Sequence, residues 1–325
     1  VARLAAAGLL LALAAALVLP LVGSAKLDYG RALAGLSPDK EILFYARLPR
    51  VLMALVAGGG LAVAGVLFQA LVRDALADPY VLGVAGGASV GAVLAICLGW
   101  TEWAGFSAIT ISASLGAAAV LFLVIAIATQ GNRMSSFTLL LAGITINSIC
   151  AAVLLLLHNL ADFAQSFVVM RWLMGSIEPV SYRTLAWLWA AVLLIVVYVF
   201  ARARDWNLLA VGEEWAMARG VVPSRAILAG FCAGSVITGC VTALAGPIAF
   251  LGLIVPHALR LRLGADHRLL IPCAFFGGGV FLALCDTVAR TALAPAEIPV
   301  GVITALLGGP FFIWLLRSRR RSLWL

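Results

Sequence analysis

Between Val51 and Val72 the chain runs for 22 residues with a single polar side chain, Gln69. At ~1.5 Å of rise per residue, such a run covers a bilayer hydrocarbon core of about 30 Å. No helix on a water-soluble domain needs an apolar stretch of that length, so the run predicts a membrane-spanning helix. It is entered through Arg47, Pro49 and Arg50 and left through Arg73, Asp74 and Asp78, with Pro79 closing the turn. The next apolar run opens with Gly83, Gly87 and Gly91, which share one helical face. In lipid a small-residue ridge lets two backbones approach closely, so this second run is expected inside a bundle.

The rest of the chain repeats that pattern. Hydrophobic residues make up 64%, charged residues 11%, and the mean hydropathy is +1.12, against about 25% charged in soluble domains. The fold class is therefore an all-α polytopic membrane protein, with residues 1–325 as one transmembrane domain. Apolar runs at 4–23, 51–72, 81–99, 105–128, 137–158, 182–200, 226–246, 248–262, 269–291 and 299–316 predict ten transmembrane helices. Leu4–Gly23 follows Arg3 as a signal peptide would, but it exceeds the roughly 7–15 residues of a signal core and is read as a span.

With a cytoplasmic N-terminus, fourteen Lys and Arg fall on inner segments and eight on outer ones, and the long outer segment Ser24–Arg50 holds five of those eight. The bias of basic residues toward the cytoplasm then puts both termini inside. The formal net charge of +8 follows from these boundary residues, and nucleic acid is not expected as a partner.

Ala75-Leu76-Ala77-Asp78-Pro79, followed by Leu82-Gly83, returns 168 residues later as Ala243-Leu244-Ala245-Gly246-Pro247, followed by Leu251-Gly252. Five spans separate the copies, so they face opposite sides of the membrane, as in an inverted internal repeat with halves at about 47–158 and 222–316. Asp162–Gly175 reads as a short amphipathic helix lying flat on the outer face, its apolar side (Phe163, Phe167, Met170, Met174) capping the bundle. On the inner side, residues 202–225 form the longest connection. Within it Gly212–Gly220 reads as one short helix, stopped by Gly220 and Pro223, of the kind that docks a partner.

Catalytic chemistry is not legible. No GxxxxGK[ST] phosphate loop occurs, and the triple glycines Gly58–Gly60 and Gly277–Gly279 lie mid-span, where packing is their expected use. Cys97, Cys150, Cys232, Cys240, Cys273 and Cys285 sit in apolar stretches without CxxC spacing. His158, His257 and His267 lack ligand spacing, so neither a metal nor a cofactor is expected. The intramembrane ionisable pair is Asp286 and Arg290, four residues apart on one helical face, either a structural ion pair or a charge offered to the outside. A proton- or sodium-coupled carrier would bury carboxylates near the midplane, and the chain offers almost none, so its energy must come from elsewhere.

An ordered set of motifs resembles the FecCD family of ABC-importer permeases: RLPR at Arg47–Arg50, DALADPYVLG at Asp74–Gly83, LLLAGI at Leu139–Ile144, RWLMGS at Arg171–Ser176, GEEWAMARGV from Gly212, GPIAFLGLIVPHALR at Gly246–Arg260, GADHR at Gly264–Arg268 and AEIPVGVITALLGGPFFIWLL at Ala296–Leu316. The resemblance implies a non-catalytic permease that pairs with a second copy of itself in the bacterial inner membrane. Two separate ATPase subunits would lie below and a periplasmic binding protein above. The cargo would be a metal chelate: an iron-siderophore, haem or cobalamin. It further implies that Arg47, Arg50 and Arg290 receive acidic residues of the binding protein. Gly212, Glu213, Glu214, Ala218, Arg219 and Gly220 would couple to the ATPase, and Ser135, Ser136, Phe137 and Gly86 would form a cytoplasmic gate. Phe137 and Gly86 stand where the family places polar residues, and Asp74 where it places Asn. The competing readings are a self-contained secondary carrier or channel for a small solute, and a bilayer-embedded enzyme for which no constellation is present.

Overall fold

The computed structural model describes residues 2–23, 27–74, 77–100, 102–103, 106–130 and 133–320. Ala75 and Leu76 of the first repeated motif, Lys26 and Arg321 lie outside the described residues. Helix α1 (Ala2–Val18) runs on as a 3-10 turn, Leu19–Leu21. Short helices α2 (Tyr29–Leu33) and α3 (Asp39–Glu41) lead through a wide π-type turn, Ile42–Arg47, into α4 (Leu48–Val72). A 3-10 turn at Pro79–Leu82 precedes α5 (Val84–Cys97), α6 (Ala108–Ala128), α7 (Ser136–Leu160), α8 (Phe163–Leu173) and α9 (Tyr182–Ala201). Then come α10 (Ala203–Val211), α11 (Glu213–Ala218), α12 (Pro223–Ala245), α13 (Leu251–Leu263), α14 (His267–Thr291) and α15 (Val300–Arg320). Among the described residues the only strands are two antiparallel two-residue pairs, Glu102–Trp103 with Phe106–Ser107 and Thr129–Gln130 with Arg133–Met134.

The protein is thus helical and polytopic. Among the described residues a helix stands at each predicted span, and seven of these helices are long and apolar enough to cross a membrane. The other three, α5, α13 and the apolar part of α15, are shorter.

Helix α4 is apolar on every side, and a helix of that kind belongs in the middle of a bundle. Nearly all of its residues are buried, whereas α6, α7 and α9 leave most of their surface outward. It runs antiparallel to α14: Arg50, near its start, meets Asp286 near the end of α14, and farther along the two triple glycines lie against each other at Gly58 and Gly278. The glycine ridge of α5 is packed as its spacing predicts, Gly87 against Gly116 and Gly91 against Ser112 of α6. Hereafter the end of the bundle holding Arg50 is called upper and the end holding Arg73 lower.

Two of the short helices share an unusual start. Helix α5 begins at Gly83 (φ 88°) and α13 at Phe250 (φ 66°), both left-handed. The segments before them meet, the Asp78 carboxylate accepting from the Phe250 N–H at 3.1 Å and from the Tyr80 N–H at 3.2 Å.

One expectation is corrected and another is extended. Helix α8 forms where predicted, with a capping box between Asp162 and Gln165, but its Phe/Met stripe does not cover the chain's own bundle. Phe163 is 95% exposed, and Phe167, Met170 and Met174 are exposed with it. Val169 on the other face is buried instead, beside Val93 and Ile96, and the Gln165 amide donates to Cys97 O at 3.1 Å. The single short helix expected over Gly212–Gly220 forms as α11, and a further helix, α10, precedes it. Gly212 (φ 157°) breaks the path between α10 and α11, and α10 is anchored by Trp206, fully buried with its indole N–H on Val199 O at 2.8 Å.

Candidate functional site

At the upper end the three arginines singled out for docking converge with the intramembrane pair. Arg50 Nε lies 3.1 and 3.2 Å from the two oxygens of the buried Asp286 carboxylate, and Nη2 lies 3.1 Å from Oδ1. Arg50 Nη1 donates to Glu297 at 2.9 Å. The expected Asp286–Arg290 pair is present at 3.7 Å, but the closer partner of Asp286 is Arg50, 236 positions away.

Arg290 Nη2 donates to Leu19 O at 2.9 Å and to Thr287 Oγ1 at 3.2 Å, and Arg47 Nη1 reaches Pro20 O and Leu21 O, both at 3.4 Å. These carbonyls belong to the 3-10 turn that follows α1, toward which the helix presents the negative end of its dipole, and Leu19 O also accepts from the Val22 N–H at 3.2 Å. Arg47 and Arg290 are consequently 6% and 4% exposed, so they are turned inward in this chain and not laid open to a partner. The Arg50–Glu297 pair is the part that reaches the surface, the Glu297 side chain being 45% exposed. Neither Glu297 nor the carbonyls of residues 19–21 carry a local signal, so the sequence reading missed them.

At the lower end α11 is held to α4 by an ion pair, Arg73 Nη2 to Glu213 Oε1 at 3.0 Å. Arg73 can turn toward it because it ends α4 in a left-handed conformation (φ 57°). Glu213 is thus engaged within the chain. Ala216 is buried, while Glu214, Trp215, Met217, Ala218, Arg219 and Gly220 are exposed. Behind α11, Asn207 of α10 donates to Asp266 at 2.8 Å and its Oδ1 accepts from the His267 N–H at 2.9 Å. The Asn207 amide, then the Arg268 N–H, hold the Asp266 carboxyl below the usual carboxylate range.

A cleft of about 480 Å³ opens between α11 and the start of α7, lined by Met134, Ser135, Thr138, Glu213, Met217 and Ser224 among others. It brings Ser135, from the expected gate, together with Glu213, from the expected coupling run. Ser135 caps α7, its Oγ accepting from the Thr138 N–H at 3.4 Å. Ser136 is buried and Phe137 is 73% exposed. Gly86 does not join them. It faces Asn147 and Cys150 of α7, roughly 16 Å along that helix from Ser136 at ~1.5 Å per residue. Among the described residues no group of three or more His, Cys, Asp or Glu side chains could hold a metal ion. What the geometry offers is two contact surfaces at opposite ends of an apolar bundle.

The pattern of the FecCD transport family matches residues 8–318. The hemin transport system permease protein HmuU of Yersinia pestis is 38% identical over 278 residues, covering 85% of this chain and 83% of the relative. The vitamin B12 import system permease protein BtuC of Escherichia coli O9:H4 (strain HS) is 38% identical over 288 residues, covering 88% and 86%. The cobalamin import system permease protein BtuC of Halobacterium salinarum is 40% identical over 278 residues, covering 84% and 72%. A solved structure described as an inward-facing conformation of a metal-chelate type ABC transporter superposes with a TM-score of 0.82 at 31% identity, over 97% of this chain and 98% of that one.

Proposed function

Because the chain belongs to the FecCD transport family, we propose that it is the permease subunit of an ATP-driven importer that moves a metal chelate across the bacterial inner membrane. The observation that carries this reading is the lower cleft. A short helix outside the apolar spans, α11, presents Glu214, Trp215 and Met217 outward while Glu213 ties it to α4, and the cleft behind it reaches the cap of α7. A partner that pulls on α11 therefore acts on α4 and on the expected gate at once. The permease hydrolyses nothing itself; two separate ATPase subunits supply the energy by favouring one state of the lower end over the other.

In this reading the lower end is cytoplasmic and both termini lie inside. The short helices α5, α13 and α15 complete ten crossings, related by an inverted repeat. The matched left-handed starts of α5 and α13 support the repeat, as do two parallel contacts: Gly143 of α7 lies against Leu82, and Gly308 of α15 against Phe250. A second copy of the chain covers the outward faces of α7 and α8. The binding protein docks at the upper end, where Glu297 is exposed beside the largely buried Arg50. Haem, cobalamin and ferric siderophore are the candidate cargoes.

The test is ATP hydrolysis by the chain co-reconstituted with its ATPase subunits in liposomes, with binding protein carrying each of the three cargoes. Stimulation by one loaded form, changed when the exposed Glu297 becomes Lys, is the expected result. Hydrolysis indifferent to every loaded form would overturn the proposal.

A further inference from the structure

Gln69, the lone polar side chain of the Val51–Val72 run, is 2% exposed. A buried amide is costly unless its groups are bonded. Both ends are: Nε2 donates to Gly252 O at 3.1 Å, and Oε1 accepts from Arg260 Nη2 at 3.0 Å. Both partners sit on α13. In an uninterrupted helix Gly252 O would accept from the N–H four residues on, but that position is Pro256, which has none. Within a bilayer no water is at hand to replace it. Arg260 can only donate, so it holds Oε1 and leaves Nε2 turned to the carbonyl that Pro256 abandons. The helices come close enough because Gly65 lies on Gly252, where a side chain would overlap the carbonyl.

We propose that Gln69, Pro256 and Arg260 form one positioning device, in which the amide supplies the donor that Pro256 withholds and so fixes the bend and register of α13 against α4. Helix α13 starts at Phe250, tied to Asp78, and ends at the turn whose Asp266 is tied to Asn207 of α10. It is therefore a strut between the lower end and the crossing of the two chain segments. The strut role rests on the importer reading; the bonding of the device does not.

The experiment is a double-mutant cycle on the full chain in detergent micelles, read by thermal unfolding, followed by uptake of haem, cobalamin and ferric siderophore, each with its binding protein, in liposomes with the ATPase subunits. Gln69→Leu is expected to lower the melting temperature. Pro256→Ala restores a backbone donor for Gly252 O, so in that background the loss from Gln69→Leu should shrink to half or less. An equal loss in both backgrounds would overturn the device. Below its melting temperature, the Gln69→Leu complex should move several-fold less solute per ATP hydrolysed, with partial recovery on adding Pro256→Ala. Uptake and hydrolysis falling in equal proportion would overturn the positioning role. If the unaltered complex shows no ATP-driven uptake, the importer reading and the strut fail together, while the melting cycle still decides the bonding.

Discussion

Asp286 is the acceptor around which the upper end is assembled, since Arg50 and Arg290 both turn to it from inside the bundle. Removing one partner of a buried ion pair strands the rest, at a cost of about 3–5 kcal/mol. Asp286→Asn is therefore expected to destabilise the chain by that order in detergent unfolding. Glu297→Gln, at the half-exposed edge of the same cluster, should cost only about 0–1 kcal/mol. Equal effects would mean that Asp286 is not the centre of the network. A similar contrast holds for glycines. Gly65→Ala puts a methyl into the Gly252 carbonyl and should cost about 1–3 kcal/mol by overpacking. Gly309 has open space around it, and Gly309→Ala should change stability by no more than about 1 kcal/mol.

Among the elements, α8 and α11 both leave large side chains outside the chain that carries them. For α8 this means that Phe163→Ser and Phe167→Ser should shift the unfolding of a single chain by less than about 0.5 kcal/mol. They should weaken its pairing with a second copy, which light scattering of the detergent-solubilised protein would register. For α11, Glu214→Lys with Trp215→Ala should abolish co-purification of the ATPase without a change in melting, whereas Ala216→Asp, at the buried face, should lower melting as well.

These faces show where sequence reading stops. The position of α8 follows from its capping box and 3.6-residue period, both local. Which side of it meets the bundle depends on where α5 lies, and period alone placed the Phe/Met stripe on the wrong side. Helix α10 carries a weak sequence signal because Arg204, Asp205 and Asn207 break up its apolar positions Trp206, Leu208, Leu209 and Val211. The arginines and Asp286 were visible as charges at the ends of apolar runs. Their pairing was not, because Arg50 finds Asp286 across 236 positions and Arg290 finds Leu19 across 271.

At the scale of the whole molecule, the Arg50–Asp286–Arg290 cluster lies at the upper end, the exposed short helix at the lower end, and Gln69, the buried Asp78 and the glycine contacts tie the interior together. In the proposed importer a partner at the lower end, where α11 is exposed, supplies the work. The direct measurement is uptake of haem, cobalamin and ferric siderophore, each with its binding protein, into liposomes carrying the chain with its ATPase subunits, supplied with ATP or with a non-hydrolysable analogue. Uptake with ATP, none with the analogue and none by the chain alone is the expected result. Uptake by the chain alone, unaffected by ATP, would contradict it and return the protein to the class of self-contained carriers.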